Sequence, residues 1–443
     1  MLGVGFDGNK VVSLLGVFAF VFFAWLLSED RKRISWKTVG WGIGLQFIFA
    51  LIVLNPGSQK FFFSAVSDVV ARLLSFAEEG ARFVFGTMEA HDVDMVDMAT
   101  QTRKPTMFIG TVAPSFKNIA FWIIFPSIIF FSSLMSILYH LGIMQRVVNG
   151  ISWVMQRTMG TTGPESLSTA ANIFVGQTEA PLVIRPYVRQ MTRSELHAVM
   201  TAGFATVAGG VMAAYVGILH SVEGIAGHLV AASIMSAPAA LAISKVMLPM
   251  EAESDTPEFI AAQEHPAGED APKNIIEAAA RGAAEGMTLV WNVLAMLMAF
   301  VALMAMCNWM LGLIPIGETP LSLELLLGWF FAPFAFLMGV PWEEATTVGM
   351  LLGEKLVLTE FVAYLHLGAM MDAPEPVLSQ RSAIIASYAL CGFANFASIG
   401  IQIGGIGGLA PERMSEIAAL GIRAMIGGTL AAFMTATIAG VLL

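Results

Sequence analysis

The sequence predicts an all-α polytopic membrane protein with eight transmembrane helices plus two re-entrant hairpins in an inverted repeat. Three observations carry that expectation. Of 443 residues, 56% are hydrophobic and only 13% are charged, against roughly 25% charged in soluble domains. Eight stretches free of Asp, Glu, Lys and Arg are long enough for a bilayer core, which takes about 20 apolar residues. One short motif also occurs twice, each time behind an apolar region interrupted by charges. This composition excludes an ordinary soluble enzyme and a disordered chain. A formal net charge of −10 excludes a nucleic-acid binder, which needs a basic face.

The eight stretches are 11–28, 38–59, 118–145, 197–222, 224–244, 286–317, 382–411 and 424–443. Only Lys10 precedes the first, and no small-residue cleavage site follows it, so it reads as a retained span rather than a signal peptide. Arg31, Lys32, Arg33 and Lys37 follow the first span and place that loop in the cytoplasm, so the N-terminus faces out. Segment 60–117 is then external, with an amphipathic, surface-lying helix expected at 61–87. Arg185, Arg189 and Arg193 come out on the cytoplasmic side, as do Arg413 and Arg423, and the C-terminus ends outside. The acidic stretch 251–270 reads as a solvated cytoplasmic loop. The two cysteines, Cys307 and Cys391, lie in apolar runs and read as small buried hydrophobes.

Two regions are apolar but broken. Arg157, Glu165, Glu179, Arg185 and Arg189 interrupt 147–190; Glu343, Glu344, Glu354, Lys355 and Glu360 interrupt 325–371. Charges at membrane depth persist only where protein or a watery cavity covers them, so each region is expected to hold a re-entrant hairpin. Ala202-Gly-Phe-Ala-Thr-Val-Ala-Gly-Gly210 in the fourth span matches Cys391-Gly-Phe-Ala-Asn-Phe-Ala-Ser-Ile399 in the seventh. Hairpin, span, span therefore occurs twice. Three spans separate the starts of the two units, so the second copy is upside down. Inverted repeats with broken helices mark secondary transporters whose site lies at the midplane. The expected division is a scaffold at 1–145 and 251–320, with transport repeats at 146–250 and 321–443.

Gln177, Thr178 and Glu179 fall at the first hairpin tip, between Gly176 and Pro181. Adjacent polar side chains at that depth either hold a polar solute or cap broken helix ends. Glu360 offers two acceptor oxygens, suited to paired hydroxyls of a sugar; the alternative is an ion pair with Lys355. Asn395 and Ser398, three residues apart, share a face of a continuous seventh span and either bind solute or bridge helices. Asn172 and Thr206 place oxygens near helix breaks, where unwound carbonyls make a hard-cation site or a local cap. The seven histidines show no metal-ligand spacing. No P-loop, His-Glu-x-x-His or Gly-x-Ser-x-Gly is present, so neither ATP-driven pumping nor those hydrolytic chemistries find support, and no resident cofactor is expected.

Gly176-Gln-Thr-Glu-Ala-Pro181, Glu360-Phe-Val-Ala-Tyr364 and Cys391-Gly-Phe-Ala-Asn395 together resemble the concentrative nucleoside transporter family, and the likeness runs over nearly the whole chain. The resemblance implies a cation-coupled symporter, assembled as a homotrimer in a bacterial inner (plasma) membrane. It implies that Gln177, Thr178 and Glu179 meet the nucleobase with Val211 nearby, and that Glu360, Asn395 and Ser398 meet the ribose with Phe393 close by. It further implies a sodium site from Asn172, Val175, Thr206 and Val207, the valines through their carbonyls. The chain departs from the family pattern at Thr206, where serine is usual, and at Thr359, where asparagine is usual. A neutral solute needs no basic phosphate clamp, and two carboxylates disfavour nucleotides. The competing classes are a proton-coupled symporter, an intramembrane enzyme using Glu179 and Glu360 as acid and base, and a passive channel.

Overall fold

The protein is described here from a computed structural model covering all residues except 1–7, 55, 86–90, 97–102, 109–124, 251–255, 258–259, 261–271, 314 and 317–318. The described chain is helical apart from two short antiparallel strand pairs, β1 (His91–Val96) with β2 (Arg103–Phe108) and β3 (Pro315–Ile316) with β4 (Thr319–Pro320).

Helices α1 (Gly8–Leu26) and α2 (Trp36–Leu54) match the first two expected spans, and α3 (Pro56–Phe85) is the amphipathic helix expected after them. The third span is α4 (Phe125–His140); its expected start at 118–124 lies outside the described residues. Next come α5 (Ile143–Met159), α6 (Gly163–Ala171) and a 3-10 turn (Ala180–Ile184). Then follow α7 (Arg193–Ala205), α8 (Gly209–Ile218) and α9 (Ile225–Met247). The second half holds α10 (Ile275–Leu311), α11 (Leu323–Leu337), α12 (Trp342–Val357), α13 (Glu360–Met371), α14 (Gln380–Leu390), α15 (Phe396–Leu409) and α16 (Met414–Leu442). The acidic stretch 251–270 lies mostly outside the described residues; within it, the Thr256 hydroxyl donates to Glu195.

The two halves repeat one order of elements, a helix (α5 or α11), a hairpin, a broken span and a full span, and each half also holds a sharp bend, though not at equivalent places. Helix α5 turns 80° from α4, and α12 turns 119° from α11. The first hairpin is therefore narrower than region 147–190, because α5 is a separate amphipathic helix. It ends at Gly160, whose positive φ of 67° suits glycine. Hairpin 1 consists of α6, the turn at 172–179 and the 3-10 segment, with the Thr162 amide donating to Glu165 Oε1 at 2.9 Å at its start. Hairpin 2 is α12 and α13, joined at Leu358 and Thr359.

The fourth and seventh spans are not continuous helices, which for the seventh departs from the sequence expectation. Residues 206–208 separate α7 from α8, and residues 391–395 separate α14 from α15. The repeated motif sits on both breaks, and the breaks touch. Gly392 adopts φ +114°, and a Cβ there would lie 2.6 Å from the Phe204 carbonyl oxygen and 2.8 Å from the Ala205 carbonyl carbon. Small residues also bring helices close elsewhere. Gly282 and Gly286 of α10 abut the α4 backbone at Ser132, Ser133 and Ile129, and Gly42 of α2 abuts Ala242 and Pro238 of α9.

A buried ion pair fastens hairpin 1 to α9. Lys245 Nζ lies 2.6 Å from Glu165 Oε2, with side chains 1% and 0% exposed, and it donates to Ser194 Oγ at 2.9 Å. Removing one partner of such a pair leaves an uncompensated charge, at a cost of about 3–5 kcal/mol. Lys245→Met is expected to lower the thermal unfolding midpoint in detergent sharply, and the double change Lys245→Met with Glu165→Gln to restore most of it. An unchanged midpoint in the single variant would show the pair to be dispensable.

Candidate functional site

Four elements converge where the broken spans cross. Gln177 comes from the turn of hairpin 1, Glu360 from the first turn of α13, Asn395 and Ser398 from the start of α15, and Tyr215 from α8. Their side chains, with the Ser398 backbone N–H as one link, form a buried run of hydrogen bonds. Gln177 Nε2 donates to Ser398 Oγ at 3.1 Å. The Ser398 amide donates to Asn395 Oδ1 at 2.9 Å, and Asn395 Nδ2 donates to Glu360 Oε2 at 3.0 Å. The Tyr215 hydroxyl donates to Glu360 Oε1 at 2.9 Å. Gln402, one turn beyond Ser398 on α15, donates through Nε2 to Gln177 Oε1 at 2.9 Å and to the Met200 carbonyl at 3.1 Å.

Local sequence explains this placement. Asn395 is the N-cap of α15, which is why it meets Ser398; they are not two positions on one face of an unbroken helix, as the spacing suggested. Glu360 sits in the first turn of α13, where the helix dipole favours a carboxylate. Tyr215 is braced by Tyr364, whose ring stacks on it at 4.1 Å between centroids and whose hydroxyl donates to the Ser387 carbonyl. Lys355 is not the ion-pair partner that the sequence offered for Glu360. Its buried ammonium donates to the Ala389 carbonyl at 2.9 Å, at the end of α14, where a cation suits the dipole.

The remaining predicted positions separate into a rim and walls. Thr178 and Glu179 pair with each other, Thr178 Oγ1 donating to Glu179 Oε1 at 2.9 Å, and Glu179 is exposed while Glu360 is 4% exposed. Glu179 lies within electrostatic reach of Tyr139 on α4 and Glu285 on α10. Val211 is buried one turn before Tyr215 on α8, and half-buried Phe393 lies in the break, its carbonyl accepting from the Asn395 amide.

Asn172, Thr206 and Val207 are each about 1% exposed. With its amide oriented to satisfy its neighbours, Asn172 donates to the Val175 and Gly176 carbonyls, both at 3.2 Å, and accepts from the Gly203 amide at 2.9 Å. The Thr206 hydroxyl donates to the Ala202 carbonyl at 2.9 Å, and the Gly209 amide donates to the Phe174 carbonyl at 3.0 Å. The turn of hairpin 1 is thus stitched to the break between α7 and α8. The oxygens here are neutral, the donor chemistry of a hard monovalent cation rather than of a transition metal, but Asn172 turns its NH2 group and not its oxygen to the Val175 and Gly176 carbonyls. Among the described residues, no three His, Cys, Asp or Glu side chains cluster to hold a metal ion.

Two members of the chain, Tyr215 and Gln402, are absent from the sequence-derived site. A lone amide four residues after Ser398, in an otherwise apolar helix, was the signal available for Gln402. Nothing in the pattern singled out Tyr215.

Two repeated hairpin units meeting at a buried polar centre within apolar helices define a membrane carrier. Sequence comparison makes the class specific. The family profiles described as Na+ dependent nucleoside transporter N-terminus, nucleoside recognition, and Na+ dependent nucleoside transporter C-terminus match residues 15–88, 121–222 and 228–440. An uncharacterised transporter of Haemophilus influenzae is 42% identical over 97% of this chain and 96% of its own length. Sodium/nucleoside cotransporter 1 of Mus musculus is 40% identical over 98% of this chain, which spans 64% of that longer protein. Solute carrier family 28 member 3 of Mus musculus is 39% identical, and the chain spans 59% of its length. The structure of the transporter CNTnw in an inward-facing, substrate-bound state superposes with a TM-score of 0.85 at 39% identity, covering 98% of each chain. The chain belongs to the concentrative nucleoside transporter family, a family of transporters rather than enzymes.

Proposed function

We propose that this protein is a secondary active symporter that imports nucleosides on an inward sodium gradient. The observation that supports it most is the buried run of hydrogen bonds from Gln177 to Tyr215, with a carboxylate near one end and amides at the other. Glu360 has about four lone-pair sites and spends two on Tyr215 and Asn395, which leaves acceptors for a pair of ribose hydroxyls. Ser398 and Asn395 complete the ribose contacts. Gln177, Thr178 and Glu179 address the nucleobase, with Val211 and Phe393 as apolar walls.

Sodium binds at Asn172, the carbonyls of Val175 and Val207, and Thr206, with the Asn172 amide turned so that its oxygen, not its NH2 group, faces the Val175 carbonyl. The proposed coupling is short-ranged. The Val175 and Gly176 carbonyls immediately precede Gln177, so a cation that orders this turn orders the base-binding amide as well. By linkage, the solute raises cation affinity by the same factor. Alternating access follows if the repeats at 146–250 and 321–443 move against the remaining scaffold, in which α4 and α10 pack closely. Helices α1 and α2 pack on α16 and α9, through Gly16 against Thr437 and Gly42 against Ala242, so that contact slides or travels with the repeats. The membrane potential adds to the sodium gradient, at about 2.3 kcal/mol per charge per 100 mV. The proposed setting is a bacterial inner membrane with both termini outside and three copies per assembly.

In proteoliposomes, uridine uptake is expected to rise strongly with an inward sodium gradient. Equal uptake without it would transfer the coupling to protons. Thr206→Val, which removes one oxygen ligand, is expected to raise the sodium concentration for half-maximal uptake roughly tenfold, a loss of about 1.4 kcal/mol. Uptake at saturating sodium is expected to be nearly unchanged.

A further inference from the structure

The amide of Gln402 has a fixed direction, and that direction is passed along the site. Gln402 is completely buried on α15, and its Nε2 lies 3.1 Å from the Met200 carbonyl oxygen. A backbone carbonyl only accepts, so the end of Gln402 facing it must be the NH2 group; the reverse would press two acceptors together. The second N–H then points at Gln177, 2.9 Å away, so the facing end of Gln177 must be its oxygen. Gln177 is left with its NH2 group toward Ser398 and the solute region. The close approach depends on Gly203, where a Cβ would lie 2.7 Å from Gln402 Nε2 and 3.0 Å from Gln177 Cβ. Gln402 Oε1 is buried and has no hydrogen-bond partner. The Gln402 amide is therefore held at the cost of an unsatisfied acceptor.

We propose that Gln402 is a specificity-determining positioning residue that locks Gln177 as a hydrogen-bond donor to the nucleobase. The inference rests on the reading of Gln177 as a base contact. An unconstrained glutamine presents either end of its amide and accepts either type of base edge. With Gln402 in place, the base atom opposite Gln177 must be an acceptor, a ring carbonyl oxygen or an unprotonated ring nitrogen. Glu360 is separated from Gln177 by Ser398 and Asn395 and only accepts, so its share of ribose recognition does not depend on this polarity.

The test is calorimetric affinity for purified wild type, Gln402→Met and Gln177→Ala. The probes are nucleosides that exchange acceptor and donor on one base edge, uridine against cytidine at N3 and C4 and adenosine against inosine at N1 and C6, together with uridine lacking one ribose hydroxyl. In wild type, one such acceptor-to-donor exchange is expected to cost about tenfold in affinity, as for one lost hydrogen bond. In Gln402→Met that penalty falls to within about twofold, while the penalty for the missing ribose hydroxyl stays the same. A merely structural role for Gln402 moves both penalties or neither. An equal base penalty in Gln402→Met and wild type, or no base penalty in wild type, overturns the inference. Gln177→Ala with unchanged affinity instead overturns the underlying assignment of Gln177 to the base. If Gln402→Met does not fold, Gln402→Asn, too short to span Met200 and Gln177, takes its place.

Discussion

Glu360→Ala is expected to reduce nucleoside affinity by roughly a hundredfold to ten-thousandfold. The carboxylate is 4% exposed and anchored on two sides, by Tyr215 at 2.9 Å and Asn395 at 3.0 Å. It is therefore pre-positioned, and ordering it on binding costs little entropy. A hydrogen bond to a charged group contributes about 1.5–3 kcal/mol, so two ribose hydroxyls account for about 3–6 kcal/mol, which is the stated range of affinity. The variant also leaves the Tyr215 hydroxyl and the Asn395 NH2 group buried without their acceptor, so the thermal midpoint falls too. Glu360→Gln separates the two effects. It keeps the shape and one acceptor, and is expected to hold the fold while losing most of the affinity. Calorimetry against uridine, with thermal unfolding beside it, makes the measurement. An affinity within tenfold of wild type in both variants would place the sugar elsewhere.

Gly392→Ala is expected to be strongly destabilising for so small a substitution. With φ at +114° the backbone is in a region that L side chains rarely adopt, at a cost of about 1–3 kcal/mol. The added Cβ also meets backbone rather than a movable side chain, at 2.6 Å from the Phe204 oxygen, and overpacking of that kind adds about 1–3 kcal/mol. Together these approach the whole margin of an ordinary domain. The displaced backbone is the crossing of the two breaks, so solute affinity should fall along with stability. Gly400→Ala and Gly404→Ala are the controls, since a Cβ at either position meets nothing within 4 Å. Size-exclusion profiles and unfolding midpoints in detergent read the result. An unshifted midpoint in Gly392→Ala would show that the two breaks can separate without cost.

The positions of Gln177, Glu360, Asn395 and Ser398 were legible in the sequence because a polar group in an apolar run is conspicuous at any fold. What joins them was not. Hydropathy cannot distinguish a continuous span from a broken one when the break is itself apolar, as with Val207 and Ala208 or Phe393 and Ala394. The spacing of Asn395 and Ser398 fits a helical face and an N-cap equally well, and only the break decided for the cap. Lys355, five residues from Glu360, was a natural partner on the chain. The packing of α12 against α14 turned its ammonium to the Ala389 carbonyl instead.

The sequence by itself determined which segments enter the membrane and that two related units are present, because transfer of a side chain from water to lipid is local and nearly additive along the chain. The tertiary structure alone decided which polar groups satisfy one another. Gln402 is 225 residues from its partner Gln177, and Tyr215 is 145 from Glu360. A buried hydrogen bond depends on direction and on angstrom-scale distance, and both are fixed only when the two breaks are packed face to face.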